Sequence, residues 1–171
     1  AWVLDSYHRE CIHYGLARIA AVDDIVMLSD LDEIPASARV KDLLQRPPEG
    51  LVDMLQHEFR FFVNFYKDSD WVGTIAGPAC SFKSKSLNSL RVSSKSTRIM
   101  FNQFPIRDGG WHFTSVGDID AIRRKIESWA HQEYNNSFTM SKLEENIRSG
   151  QDIFNRETGT SITQVDIATS S

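Results

Sequence analysis

A short apolar run that ends in a cluster of carboxylates is the feature that most restricts how this chain can fold. Residues 25–28 read IVML, and Asp30, Asp32, Glu33 and Pro35 follow directly. The apolar run predicts a short buried strand of a parallel sheet, which is covered on both faces. Three carboxylates this close repel one another unless a positive group lies between them. Because ligands of open α/β sheets bind beyond the carboxyl ends of the strands, this cluster is a candidate ligand site.

A hard divalent cation is the predicted partner of the cluster, because Mg²⁺ and Mn²⁺ prefer carboxylate oxygens and accept phosphate as a further ligand. Asp30 and Asp32 are two candidate metal ligands, and His112 in the run GGWHF (109–113) is the third. Gly110 in the same run would let the backbone approach a phosphate closely. Two alternatives stay open, namely an exposed acidic turn, which most isolated D-x-D patterns are, and a buried structural histidine.

The alternation of helical and extended patterns predicts an α/β fold. The predicted helices cover 5–20, 37–46, 118–131 and 141–150, and the predicted strands cover 24–29, 51–66, 71–83, 97–104 and the residues after the Gly-Gly pair. The predicted caps are Ser37, Asp118, a Ser141–Glu144 capping box and Gly150. The serine-rich stretch 83–96 predicts a loop with one helical turn, and the segment 158–171 predicts a loose tail. Arg9 and Glu10 are predicted to form a surface pair on the first helix.

The composition restricts the class of protein more than its chemistry. The chain has 171 residues, 41% of them hydrophobic, which suits one globular domain. A net charge of −4 argues against a broad nucleic-acid-binding surface, and no window is apolar enough to span a bilayer. Cys11 and Cys80 form no C-x-x-C pair, which argues against a zinc ribbon or a redox motif.

Two classes of enzyme place a D-x-D pattern after an apolar strand. In haloacid-dehalogenase-like phosphatases the first aspartate, here Asp30, is a nucleophile, but Glu33-Ile34 is a poor match to the Gly-Thr pair that usually follows. In nucleotide-sugar glycosyltransferases of the GT-A type, the pattern holds a metal that bridges the donor's diphosphate. A non-catalytic sugar-binding protein that keeps the fold is a third, non-enzymatic alternative.

Five runs in order carry a resemblance to a known family. They are RECIHYGL (9–16), LSDLDEIP (28–35), GGWHF (109–113), KIESWAHQEYN (125–135) and SGQDIFNR (149–156). Together they closely resemble glycosyltransferase family 17, the β-1,4-mannosyl-glycoprotein 4-β-N-acetylglucosaminyltransferase family, from about residue 5 to 156, with a loose match over 64–105. The resemblance implies a GT-A-like fold with a mixed sheet flanked by helices, a UDP-GlcNAc-type donor, Mn²⁺ or Mg²⁺, inversion at the anomeric carbon and a glycan acceptor.

The resemblance also implies roles for particular residues. The donor contacts expected from it are Asp30, Glu33, Gly110, Trp111, His131 and Arg156, and the metal ligands are Asp30, Asp32 and His112. Inverting transfer needs a base for the acceptor hydroxyl, and Glu133 and Asp152 are both candidates. The structural alternatives are that His131 and Glu133 only cap and solvate a helix end, and that Arg156 only pairs with Asp152.

The family pattern continues upstream of the D-x-D region, where it supplies the first strands of the nucleotide-binding sheet. Residues 1–157 are therefore expected to be a partial catalytic domain, with 158–171 as a tail. Such a piece is expected to bind a UDP-sugar poorly and to aggregate through an unpaired sheet edge. The compartment is left open by the sequence: the cytoplasm for a microbial or viral chain, and the Golgi lumen, with a membrane anchor upstream, for a eukaryotic glycoprotein enzyme.

Overall fold

The computed structural model describes residues 2–97, 104–129, 131–154 and 162–166. Its elements are α1 (Trp2–Ile19), β1 (Ile25–Leu28), β2 (Glu33–Pro35), α2 (Ser37–Gln45), β3 (Val52–Arg60), β4 (Phe65–Pro78), α3 (Ala79–Phe82), α4 (Leu87–Thr97), β5 (Gly110–Thr114), α5 (Ile119–Ser128), a turn of 3-10 helix (Gln132–Tyr134), α6 (Ser137–Ser149) and β6 (Thr163–Gln164). None of the described helices is long and apolar enough to cross a membrane.

The described strands form one sheet in the order β1-β4-β3-β5-β2, and β6 pairs with β4. Three pairings, β1 with β4, β2 with β5 and β4 with β6, are antiparallel. A parallel bridge joins Met54 of β3 to Ile106. The predicted α/β class with a mixed sheet and flanking helices is therefore confirmed.

The chain divides into two compact units, and β3, β4 and β5 contribute residues to both. Unit 1 comprises Ala1, Glu58–Asp68 and Phe113–Ser171, and unit 2 comprises Trp2–His57 and Ser69–His112. A buried apolar cluster of unit 1 comprises Phe61, Ile122, Ile126, Leu143, Ile147 and Ile153. Buried apolar clusters of unit 2 lie around Ile75, Phe82 and Leu87, and around Leu43, Met54 and Ala76.

The prediction that β1 is a buried parallel strand is wrong. Ile25 lies opposite Pro78 and Leu28 opposite Ile75, which is antiparallel, and only Leu28 is buried in this strand. A run of apolar residues reports that a strand touches a core, but it carries no information on the direction of the neighbouring strand. That direction depends on β4, which lies about fifty residues further along the chain.

The single strand predicted over 51–66 is interrupted. Residue Phe61 has a φ of 66°, and β4 begins only at Phe65. Phe61 is 1% exposed and belongs to the core of unit 1, so its burial offsets the cost of an unusual backbone conformation. The strand predicted over 71–83 begins earlier and gives way to α3, and the one predicted over 97–104 falls mostly on residues 98–103, outside the described part.

The serine-rich stretch predicted as a loop contains helix α4. Its apolar residues Leu87 and Leu90 are buried in a core cluster of unit 2. Its N-terminus is capped from a distance: the carboxylate of Glu10 on α1 accepts hydrogen bonds from the Ser86 hydroxyl and from the backbone N–H groups of Leu87 and Asn88. Glu10 is therefore a helix cap rather than the surface partner of Arg9.

Of the other four capping predictions, two are confirmed and two are wrong. Asp118 accepts from the N–H of Ala121 at the start of α5, and Gly150 ends α6 in the left-handed conformation, as predicted. The predicted Ser141–Glu144 box is wrong, because α6 begins at Ser137 and Asn136 is its cap. At α2 the cap position is Ala36, which makes no side-chain cap, so the Ser37 prediction is also wrong.

Part of the segment predicted as a tail forms strand β6. Thr163 and Gln164 pair with Tyr66 and Phe65 of β4. Ile162, just before them, packs against the apolar cluster of unit 1, so this segment contributes to that core. Residues 158–161 and 167–171 lie outside the described part of the chain.

Candidate functional site

Two of the motifs pair directly in unit 2. In the antiparallel ladder between β2 and β5, Glu33 lies opposite His112, Ile34 opposite Trp111, and Pro35 opposite Gly110. Gly110 has a φ of +140°, and a Cβ at this position would lie 2.1 Å from the carbonyl oxygen of Ile34. Glycine is therefore required for this close approach, and runs separated by almost eighty residues in sequence lie side by side.

The positive group inside the acidic cluster is a side chain, Arg91 of α4. Its Nη2 donates to both carboxylate oxygens of Glu33, at 2.6 and 2.7 Å, and its Nη1 donates to the carbonyl oxygen of Gly73. The side chains of Arg91 and Glu33 are 1% and 0% exposed. Glu33 also accepts from Trp71 Nε1 at 3.1 Å and from the backbone N–H of Asp30 at 3.0 Å. Glu33 thus holds the site together from inside.

Asp30 lies between two guanidinium groups. One of its oxygens is 3.2 Å from Nη2 of Arg91, and the other is 3.7 Å from Nη2 of Arg9. Arg9 itself is held by Asp5 at 2.7 Å and by the side-chain oxygen of Asn88 at 3.1 Å. The negative charge of Asp30, which is 30% exposed, is therefore balanced by protein groups.

Asp32 lies beside His112. Their closest atoms, Asp32 Oδ2 and His112 Nε2, are 3.7 Å apart. The His112 ring is buried and stacks on Trp71, with the ring centres 4.1 Å apart and the planes at 13°. Its Nδ1 has no hydrogen-bond partner among the described residues. Asp32 and His112 were both candidate metal ligands from the sequence, whereas Trp71, which fixes the His112 ring, was not singled out.

The separation of Asp32 and His112 is slightly longer than that of two ligands of one divalent ion. Ligand atoms at about 2.1 Å from a shared ion lie roughly 3.0 to 3.6 Å apart for bond angles of about 90° to 120°. The observed 3.7 Å is near that range and too long for a hydrogen bond. Within the described ranges, no three His, Cys, Asp or Glu side chains are grouped so as to hold a metal, and Asp30 faces arginines instead.

In unit 1, His131 and Glu133 form a hydrogen-bonded pair. His131 Nδ1 and Glu133 Oε1 are 2.7 Å apart, and the Trp129 ring packs on His131 with the ring centres 4.1 Å apart. The hydrogen bond from His131 is the main reason that the pKa of Glu133 lies below its ordinary value. An ionised carboxylate only accepts, so Nδ1 of His131 carries the hydrogen and donates it.

Asp152, the other candidate base, lies in a buried ionic network of unit 1. Its side chain is 2% exposed, and Oδ1 is 3.6 Å from Nη1 of Arg60. Arg60 Nε donates to Glu58 at 2.8 Å, and Lys67 Nζ is 3.3 Å from the same carboxylate. Arg60 is thus an arginine beside Asp152 among the described residues. The predicted Arg156 lies outside the described residues.

Sequence reasoning missed Arg91, Trp71 and the role of Arg9. Arg91 lies in the stretch predicted as a loop, where Leu87, Leu90 and Arg91 at i, i+3 and i+4 share one face of a helix. This weak periodicity was the available signal. There was no comparable signal for Trp71, because its stacking partner His112 lies about forty positions away in the sequence.

Comparison of the chain with protein-family models, with curated proteins and with solved structures found no match.

Proposed function

We propose that this protein is a metal-dependent inverting glycosyltransferase of a GT-A-like fold, moving N-acetylglucosamine from a UDP-sugar to a glycan. The support is the sequence resemblance together with one observation in unit 2. The ladder between β2 and β5 pairs LSDLDEIP with GGWHF, with Glu33 opposite His112. Donor and metal contacts were expected from these two runs, so their pairing supports the proposal.

On the donor side, Asp32 and His112 would hold the ion, which would stabilise the diphosphate as it leaves. Trp111, 41% exposed and on the strand that carries His112, is available to the sugar or the base of the donor. Glu33 and Arg91 have a positioning role, because their buried ion pair fixes the turn that carries Asp32. Asp30 balances Arg91 and Arg9.

The base for the acceptor hydroxyl is a separate question within unit 1. Asp152 is buried beside Arg60, so it has little access to an acceptor. Glu133 is exposed and ionised at neutral pH, and it orients the imidazole of His131. A carboxylate that fixes the tautomer of a neighbouring histidine is a common arrangement for proton abstraction. Of the two candidates, Glu133 acting through His131 is therefore favoured.

The experiment that tests the donor site is titration calorimetry of UDP with and without Mn²⁺, combined with UDP release from UDP-GlcNAc. The test variant is Asp32→Asn, which keeps the shape and removes one charge. The matched control is Asp120→Asn, a 72% exposed residue of α5. Mn²⁺ is expected to tighten UDP binding by at least about tenfold in the parent and the control, and hardly at all in Asp32→Asn. Equal coupling in all three proteins would refute the donor site.

The alternatives give different results in the same protein. Covalent trapping of Asp30 by beryllium fluoride, without any UDP dependence, would favour the phosphatase. Binding of a glycan that requires neither metal nor UDP would favour the non-catalytic sugar-binding protein.

A further inference from the structure

A groove that no part of the proposed function uses lies in unit 2, between α2 and the segment that leads into β5. Its volume is about 500 Å³, and its lining residues are Arg39, Asp42, Leu43, Arg46, Pro105, Ile106 and Arg107. Three of these side chains are guanidinium groups and one is a carboxylate. We call this feature the arginine groove.

One wall of the arginine groove is formed by α2 and the residue that follows it. Arg39 and Leu43 are spaced at i and i+4 on α2, and Arg46 follows the last residue of the helix with a non-helical backbone (φ −134°, ψ 76°). Leu43 is 4% exposed and belongs to a buried apolar cluster of unit 2, so this face is fixed against the sheet. Arg39 contacts Asp42 at 3.0 Å, and both side chains are more than one third exposed. Such a pair is weak and can exchange partners.

The opposite wall is held by the backbone. The N–H of Ile106 donates to the backbone carbonyl oxygen of Asp53 at 2.9 Å, and the carbonyl oxygen of Ile106 accepts from the backbone N–H of Leu55 at 2.8 Å. Pro105 and Arg107 flank this bridged residue, so the start of the Arg107 side chain is fixed. Its guanidinium is 3.6 Å from Asp70, where the two side chains are 74% and 54% exposed. Arg107 can therefore turn toward a ligand at low cost.

Three guanidinium groups and one carboxylate line the groove, so its lining carries an excess of positive charge that favours an anion. The fork of a guanidinium matches the oxygens of a phosphate and binds them in pairs. The apolar lining of Leu43, Pro105 and Ile106 suits the uncharged body of a ligand, and the volume is typical of small-molecule sites. We propose that the arginine groove binds a small organic diphosphate, with Arg46 and Arg107 contacting its phosphates.

The first test is calorimetric titration of the protein with inorganic pyrophosphate in the presence of EDTA, so that no metal-dependent site contributes. The variants are Arg46→Gln and Arg107→Gln, and the control is Arg148→Gln, a 75% exposed arginine of α6 paired with Glu144. Each groove variant is expected to raise the Kd by about tenfold, and the control is expected to leave it unchanged. Melting curves should coincide, because these arginines are exposed.

Three outcomes would overturn the proposal: no binding of pyrophosphate, an equal loss in the Arg148→Gln control, or unchanged binding in both groove variants. The source of the phosphate is then tested with UDP and with a sugar monophosphate as competitors. Asp32→Asn must leave pyrophosphate binding in EDTA unchanged. The proposal therefore stands or falls independently of the glycosyltransferase function.

Discussion

Replacement of Arg91 by methionine is expected to be among the most destabilising single changes in unit 2. Methionine fills much of the same volume but removes both hydrogen bonds to Glu33, at 2.6 and 2.7 Å. Glu33, whose side chain is 0% exposed, would lose this counter-ion. Removal of one partner from a buried ion pair typically costs about 3 to 5 kcal/mol. For a chain of this length that corresponds to a fall in Tm of about 6 to 20 °C.

The free energy of unfolding is measured by urea denaturation and Tm by thermal melting. The matched control is Arg39→Met, because the pair between Arg39 and Asp42 is 38% and 44% exposed and contributes at most about 1 kcal/mol. The decisive variant is Glu33→Gln combined with Arg91→Met. It removes both charges but keeps an acceptor for Trp71, so it should recover much of the lost stability.

A loss of stability in Arg91→Met no larger than in the Arg39→Met control would contradict the predicted contribution of the buried ion pair. A double variant no more stable than Arg91→Met alone would contradict it too. In either case the charge of Glu33 would be balanced by something other than Arg91.

Three further predictions concern local features of the fold. The hydrogen bond from the Ser86 hydroxyl is the main cause that lowers the pKa of Glu10 from 4.5. The stability that this cap contributes is therefore present above the ordinary pKa and is lost as the pH falls through the lowered pKa. The melting curves of the parent and of Glu10→Gln should differ at pH 7 and converge in acid. Gly110→Ala should lower Tm markedly, because its Cβ would meet backbone at 2.1 Å, whereas Gly15→Ala, with nothing within 4 Å, should raise stability by up to about 1 kcal/mol. Asn136→Ala should cost about 1 kcal/mol in urea denaturation through loss of the α6 cap, and an unchanged midpoint would contradict that assignment.

Helix positions and caps could be predicted from the sequence, because they depend on residues only a few positions apart. Helix α5 follows from the spacing of Ile119, Ile122 and Ile126 and from the adjacent Asp118 cap. The end of α6 follows from Gly150, which adopts the left-handed conformation at low cost. The acidic cluster could be recognised in the sequence, because its charges directly follow an apolar run. That His112 lies beside Asp32 follows from the pairing of β2 with β5, whose partners are almost eighty residues apart.

The partners of the buried carboxylates depend on the tertiary structure. Glu33 and its counter-ion Arg91 are 58 positions apart, and Glu10 and the helix N-terminus that it caps are more than 75 apart. The antiparallel direction of β1, likewise, depends on a strand that starts nearly forty residues after β1 ends. Local propensity and capping act over one or two turns of chain, whereas strand direction and the pairing of buried charges depend on which distant segments pack together. The serine-rich stretch therefore contains helix α4, and Arg91 of that helix is the cation that pairs with Glu33 and Asp30.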